Sequence, residues 1–97
     1  MIKLPKQQKV KITNRTGLHA RPASELVKKA GQFDSKIEIL FEEKEVNAKS
    51  IMGVMSLGVT RDNEIVIKAD GEDESEAIEE LVNFIEVEMP KEDESSE

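Results

Sequence analysis

Every apolar segment of this chain has only one apolar side. Three short segments alternate apolar and polar residues, as half-buried strands do. Their inward positions are Val10, Ile12, Ile37, Ile39, Phe41, Ile65, Ile67 and Ala69. Two other segments repeat apolar residues every three or four positions, as amphipathic helices do. Because such elements are stable only when their apolar sides are covered, the pattern predicts a layer of helices on one face of a sheet.

The predicted order of elements is βαββαβα. We expect strands over residues 9–13, 36–42, 45–48 and 64–69, with a tight turn at 43–44. Helices are expected from His19 to the break at Gly31, over residues 51–57, and from a capping-box-like start at Asp73 and Glu76 to Pro90. The fold class is therefore α+β: an open-faced sandwich, a four-stranded antiparallel sheet with three helices on one face.

A length of 97 residues allows one domain, which we place at residues 1–89, with a loose lead-in over residues 1–7. The acidic residues 90–97 are expected to form a disordered tail. The chain has no cysteine and one histidine, so neither a metal site nor a cofactor is predicted. A net charge of −7 argues against direct nucleic-acid binding. No stretch approaches the roughly 20 apolar residues of a membrane span, so we expect a cytoplasmic protein without membrane insertion.

The only histidine precedes the first helix, in Thr16-Gly-Leu-His-Ala-Arg-Pro-Ala23. Pro22 is tolerated in a first helical turn, which places His19 at or near the N-cap. The backbone N–H groups of Ala20 and Arg21 would then lack helical partners, and the positive end of the helix dipole would favour an anion. The Arg21 guanidinium also matches phosphate oxygens. The segment indicates phosphoryl transfer through the imidazole ring; the alternative is a surface histidine without a role.

Ser50 stands before a short segment that is too rich in apolar residues for a strand, and it is a good N-cap for a helix. Ile51, Met52 and Met55 are more apolar side chains than one short helix can bury. Flexible methionines suit a surface that meets several partners. Ser50 is therefore either a cap with no further role or a site where phosphorylation changes docking.

Both segments resemble those of the HPr family, the histidine-containing phosphocarriers of the phosphoenolpyruvate-dependent sugar phosphotransferase system. Residues 16–23 resemble the active-site signature of the family, and residues 47–58 resemble the regulatory-serine segment of its low-GC Gram-positive members. The resemblance covers about residues 8 to 88 and implies the HPr fold. It also implies that His19 accepts a phosphoryl group from enzyme I, with Ala20 and Arg21 holding the phosphate, and donates it to enzyme IIA domains.

For Ser50, the resemblance implies phosphorylation by the ATP-dependent HPr kinase/phosphorylase and action of the modified form with catabolite control protein A. It also implies that Ile51, Met52 and Met55 form a shared docking patch with Ala20 and Arg21. We expect a monomer.

Two alternatives to a phosphocarrier remain open. One is a regulatory adaptor that works chiefly through Ser50; the presence of His19 counts against versions of it that lack the active-site histidine. The other is a small enzyme with His19 as general base, for which so short a chain offers no enclosing pocket residues.

Overall fold

The computed structural model describes the backbone of residues 4–95 and the side chains as far as residue 92. Its strands are β1 (Lys6–Lys11), β2 (Lys36–Phe41), β3 (Lys44–Asn47) and β4 (Glu64–Asp70). Its helices are α1 (Ala20–Ala30), α2 (Ile51–Ser56), α3 (Glu74–Asn83) and α4 (Met89–Ser95), with a π-helical turn (Phe84–Glu88) between the last two. The predicted order βαββαβα is confirmed as far as α3.

The four strands form one antiparallel sheet in the order β1-β4-β2-β3. Ile67 of β4 pairs with Ile39 of β2, and Ile65 pairs with Val10 of β1, so the alternating apolar positions of neighbouring strands fall on the same face. All four of these residues are buried. The α+β open-faced sandwich is therefore confirmed.

The core lies between this sheet face and the helices. Its largest fully buried side chains come from strands, helices and connections alike: Phe84, Ile12, Leu26, Ile37, Ile39, Leu57, Ile65, Ile67, Leu81, Ile85, Met89 and Val54. Burying one such side chain stabilises a fold by roughly 1.5–3 kcal/mol, so this layer is the main source of stability. Within residues 4–95, no helix is both long and apolar enough to cross a membrane.

The first strand begins earlier than predicted. Lys6 and Gln7 pair with Ala69 and Lys68 of β4, whereas the prediction placed both residues in a loose lead-in. The error has a physical reason: the first four residues of β1 are exposed, so they lack the alternation that marks a half-buried strand. Backbone pairing with β4 and a hydrogen bond from Lys6 Nζ to Ser75 Oγ at 3.0 Å hold them instead. Residues 1–3 of the expected lead-in lie outside the described part of the chain.

The connection between β2 and β3 is displaced by one residue from its predicted place. The turn is at Glu42 and Glu43 instead of residues 43–44, and β3 accordingly begins at Lys44. Glu42 has a φ of 56°, the left-handed conformation that a tight hairpin requires. Nothing in its residue type marks Glu42 for that conformation, which most often falls to Gly, Asn or Asp.

Asp73 is the N-cap of α3, but its side chain does not cap that helix, so the predicted capping box is wrong. The carboxylate instead accepts hydrogen bonds from the Asp34 N–H at 2.8 Å, the Ser35 N–H at 2.9 Å and the Ser35 hydroxyl. The Ser35 hydroxyl, followed by the Asp34 N–H, lowers the pKa of Asp73 below its ordinary value. This long-range contact replaces the local one and ties the start of α3 to the start of β2.

Pro90 does not end the last helical segment as predicted. The π-helical turn precedes it, and in this turn the Met89 N–H donates to the Phe84 carbonyl five residues earlier. Pro90 then lies in the first turn of α4, where its missing N–H has little cost. We expected a disordered tail over residues 90–97, but the backbone is helical as far as Ser95. Residues 96–97 lie outside the described part.

Candidate functional site at the start of α1

The loop before His19 is fixed by buried polar contacts. Asn14 is buried, and its Nδ2 donates to the Gly17 carbonyl at 2.8 Å. The Leu18 N–H donates to the Val59 carbonyl at 3.1 Å. Gly17 has a φ of 68°, and a Cβ at this position would lie 2.6 Å from the Val59 oxygen, so a glycine is required here. These contacts anchor the loop to the segment that follows α2 and thereby set the position of His19.

His19 is the N-cap residue of α1, as predicted. Its backbone is extended, with φ −86° and ψ −169°, and its carbonyl accepts the Ala23 N–H at 2.9 Å. The imidazole ring is exposed and does not cap the helix. Pro22 is buried in the first turn, where a proline fits without loss of a hydrogen bond. The exposed ring therefore lies at the helix start without a capping bond.

The first turn of α1 is suited to an anion. Ala20 and Arg21 are exposed, and the turn contains no acidic residue. Helix N–H groups at this end carry the positive end of the dipole, and a guanidinium forms charge-assisted bonds to phosphate oxygens. The structure thus places Ala20 and Arg21 beside His19 on one helix start. Their role in holding phosphate remains a prediction.

Ser50 caps α2, as predicted. Its Oγ accepts the Gly53 N–H at 3.1 Å, and the side chain is half-buried. A Cβ at Gly53 would lie 3.2 Å from the Ser50 Oγ, so the glycine leaves room for this bond. The cap satisfies one of the N–H groups that a helix start leaves without a helical partner.

The three apolar residues predicted to form a docking patch are exposed at the surface of α2. The exposed fraction is 83% for Met52 and 43% each for Ile51 and Met55, whereas Val54 and Leu57 are buried. α2 packs against α1, so the patch and the start of α1 belong to neighbouring helices of the same layer. We name Ile51, Met52 and Met55 the α2 patch; its function in docking is a prediction.

Sequence reasoning missed two features of this region. The first is the burial of Asn14 under the loop, which only the structure shows. The second is a group of carboxylates from the carboxyl-terminal segment, Glu88 and Glu92, that lies beside α1. No apolar residue follows Pro90, so hydrophobic periodicity gives no signal that the helix continues to Glu92. Among residues 4–92, no three histidine or acidic side chains are grouped as metal ligands.

Comparison with known proteins agrees with this fold. The family model for the PTS HPr component phosphorylation site matches residues 6–87. The HPr-like protein Crh of Bacillus subtilis is 47% identical over 83 residues, which cover 86% of this chain and 98% of that protein. The phosphocarrier protein HPr of Buchnera aphidicola is 47% identical over 75 residues, 77% of this chain and 88% of its own.

Solved structures give the same result. HPr of Thermoanaerobacter tengcongensis has 50% sequence identity and a TM-score of 0.84, covering 87% of this chain and 94% of that one. Crh of Bacillus subtilis, described as a dimer with a swapping domain, has 45% identity and a TM-score of 0.68, covering 88% and 93%. Fold and site together define a small α+β domain with an exposed histidine at a helix start. The chain belongs to the HPr family, a family of phosphocarrier proteins that are not catalytic enzymes.

Proposed function

We propose that this protein accepts a phosphoryl group from phosphorylated enzyme I on His19 and donates it to the enzyme IIA domains of sugar permeases. The observation that carries the proposal is the exposed imidazole of His19 at the N-cap of α1, with Arg21 in the same turn. Those partners imply a cytoplasmic location. Membership of the HPr family supports the phosphotransferase system as the setting.

The chemistry requires little beyond this geometry. An imidazole nitrogen of His19 attacks phosphorus, the bond between phosphorus and enzyme I breaks, and the proton of the ring passes to solvent. The incoming oxygens carry negative charge, which the first N–H groups of α1 and the Arg21 guanidinium would stabilise. Phosphoryl transfer depends mainly on positioning and charge stabilisation, so an open site on a small carrier is sufficient when the partner enzyme completes it.

Ser50 is proposed as a second, regulatory site, phosphorylated by HPr kinase/phosphorylase with ATP. A phosphate there adds roughly −1.5 to −2 charges at the N-terminus of α2, beside the exposed α2 patch. The added charge would weaken docking of acidic surfaces and favour docking of basic ones. We propose catabolite control protein A, or a similar regulator, as the partner of the phosphorylated form.

The expectation of a monomer is not supported by the relatives. The structure of Crh from Bacillus subtilis is of a domain-swapped dimer, and HPr of Thermoanaerobacter tengcongensis has also been solved as a dimer. Since β1 is an edge strand paired only with β4, its exchange between two copies is a route to a dimer in this chain as well.

The second candidate function is a regulatory adaptor that works chiefly through Ser50, favoured by the exposure of the α2 patch and by the similarity to Crh. Two reactions distinguish it from a carrier. The pure protein is incubated with enzyme I and phosphoenolpyruvate, and separately with HPr kinase and ATP, and both products are followed by intact mass and phosphorus NMR.

A carrier gives an acid-labile phosphoryl group in the first reaction, and the signal is lost in His19→Ala. An adaptor leaves the first reaction unmodified and gives an acid-stable phosphate on Ser50 in the second. A protein that reacts in neither would contradict both functions.

A further inference from the structure

The sheet has a second face, which lies opposite the core. Along β4, Ile65, Ile67 and Ala69 are buried, while the residues between and beside them are exposed or half-buried. Because successive residues of a strand point to opposite sides, these alternate residues define the second face of the sheet. We call it the open face. Since the core lies on the first face, a cover for the open face would come from another molecule.

The two central strands place complementary residues side by side on the open face. The antiparallel register of β2 and β4 brings three pairs together there: Lys36 with Asp70, Glu38 with Lys68, and Leu40 with Val66. The last two residues are half-buried. The open face therefore has one apolar pair that is followed, along the same two strands, by two pairs of opposite charge.

Most of these charges are not used within one molecule. Among the residues whose side chains the structure describes, Lys36, Glu38 and Asp70 form no ion pair. Lys68 Nζ lies 3.8 Å from Glu45 Oε2 of β3 and so reaches across β2 instead of joining Glu38, its direct neighbour in the sheet. The fold thus collects opposite charges on this face and leaves three of them available to a partner.

The three pairs are complementary to a second copy of themselves. A twofold axis along the strands, midway between β2 and β4, turns a second copy over and exchanges the positions of the two strands. Each pair then meets its complement twice: Lys36 faces the partner's Asp70, Glu38 faces the partner's Lys68, and Leu40 faces the partner's Val66. Two sheets stacked in this way lie about 10 Å apart with their strands roughly aligned.

The outer strands fit the same arrangement. Lys9 of β1 and Glu45 of β3 lie at the two ends of the row that contains the apolar pair, so the same axis places Lys9 over the partner's Glu45. With Lys11 and Glu64 at its end, the open face carries four lysines and four acidic residues. The whole chain has a net charge of −7, but this face has none, so two open faces do not repel each other.

We propose that the open face is an interface between two copies of this chain, which stack sheet on sheet about this twofold axis. Leu40 and Val66 supply apolar contact and the surrounding charges supply specificity, as apolar and polar parts do in protein interfaces generally. The inference does not depend on the proposed function. The helix layers lie on the outside of the dimer, so His19 and Ser50 stay accessible in both copies.

The size of the open face predicts a weak dimer. Four strands about 4.8 Å apart, each with about six residues of 3.3 Å, give a flat area of roughly 400 Å² per copy. Stable interfaces bury about 800 Å² per partner, so association should require a high protein concentration. Sedimentation equilibrium of the full chain from about 10 µM to 1 mM covers the affinities expected of such an interface. The wild type should pass from monomer to dimer within this range.

Two variants with reversed charges test which residues face each other. The acidic variant carries Lys36→Glu and Lys68→Glu, and the basic variant carries Glu38→Lys and Asp70→Lys. Alone, each variant brings like charges together across the interface, so its dissociation constant should rise at least about tenfold. An equimolar mixture of the two should form a heterodimer as readily as the wild type forms its dimer, because every negative charge of one copy then faces a positive charge of the other.

The mixture also controls for effects on the fold. Mixing changes nothing within either molecule, so a recovery of association can only come from contacts between copies. The reversals shift the net charge of −7 by four in either direction, so both variants remain negative and do not attract each other through net charge. Circular dichroism checks that each variant is folded.

Leu40→Lys tests the apolar part of the interface. A lysine there should abolish the dimer, because it places two uncompensated charges between the sheets. Val87→Lys is the matched control, since Val87 is an exposed apolar residue of the π-helical turn, which lies outside the sheet. It should leave the dissociation constant unchanged.

Three results would overturn the proposal. The first is a wild type that stays monomeric at the highest concentration. The second is a dimer that persists unchanged in both charge-reversed variants, as a dimer formed by exchange of β1 would. The third is a mixture of the two variants that associates no better than either variant alone.

Discussion

Two helix starts in this molecule carry candidate phosphorylation sites, and their side chains are used differently. The Ser50 Oγ accepts a hydrogen bond from the Gly53 N–H and so stabilises α2. The His19 ring makes no capping hydrogen bond at the start of α1. Phosphate on Ser50 would be added to an oxygen that already accepts a hydrogen bond of the fold, while phosphate on His19 would be added to a ring that makes no cap bond. The two helix starts therefore differ in what a modification would disturb: a capping bond at Ser50 and no capping bond at His19.

The largest expected effect is that of His19→Ala. Transfer from enzyme I should be lost entirely, because no other imidazole exists in the chain. The free energy of unfolding should change by less than about 0.5 kcal/mol, since the ring is exposed and makes no cap bond. Phosphorylation assays and urea unfolding measure the two. A large loss of stability would show that the ring does structural work and would remove the contrast with Ser50.

Arg21→Ala should slow transfer to His19 by roughly tenfold to a hundredfold, the value of one hydrogen bond to a charged group. Stability should be nearly unchanged, because the side chain is exposed. Stopped-flow transfer from phosphorylated enzyme I gives the rate. Arg21→Lys is the control and should recover only part of it, since a lysine lacks the bidentate fork. Equal rates in all three proteins would exclude the guanidinium from the site.

Ser50→Ala should lower stability and leave phosphoryl transfer intact, the opposite of what is expected for His19→Ala. Loss of the cap bond should cost about 1 kcal/mol of unfolding free energy, measured by urea unfolding, while phosphoryl transfer to His19 continues. A variant as stable as the wild type would mean that Ser50 leaves its helix start as open as His19 does.

Ser50→Asp separates capping from charge, because aspartate is also a good N-cap. Stability should stay close to that of the wild type, and transfer from enzyme I should weaken without being lost, because the change alters docking at the α2 patch and leaves the ring intact. The dependence of the transfer rate on carrier concentration measures docking. Unaltered docking would argue against the α2 patch as part of the enzyme I interface.

The start of α3 is a third helix start to compare, and the change in stability expected there is the smallest. Asp73 is an N-cap whose carboxylate serves Ser35 and Asp34, and these bonds lower its pKa in the folded protein. The group therefore contributes stability above its unfolded pKa, near 3.8, and the contribution is lost as the pH falls below that value through the lower folded pKa. Ser35→Ala should weaken this dependence, measured as unfolding free energy from pH 5 to pH 2. If the unfolding free energy of Ser35→Ala depended on pH as that of the wild type does, the bonds from Ser35 to Asp73 would make no contribution to stability.

Much of the site could be predicted because its signals are local in the chain. The position of His19 at the N-cap follows from Pro22 and from the helical period that begins at Ala23, and the cap at Ser50 follows from the dense apolar run behind it. The exposure of Ile51, Met52 and Met55 also follows from the number of apolar residues in this segment, because a six-residue helix cannot bury them all.

The sequence by itself determined the layers, the helix starts and the residue types at the candidate site, because period, caps and composition act over a few residues. Only the tertiary structure decided the partner of Asp73, the start of β1 at exposed residues, the burial of Asn14 and the position of Glu92 beside α1. Each depends on contacts between residues far apart in the chain. Local preference left these choices nearly equal in free energy, and packing and long-range hydrogen bonds resolved them.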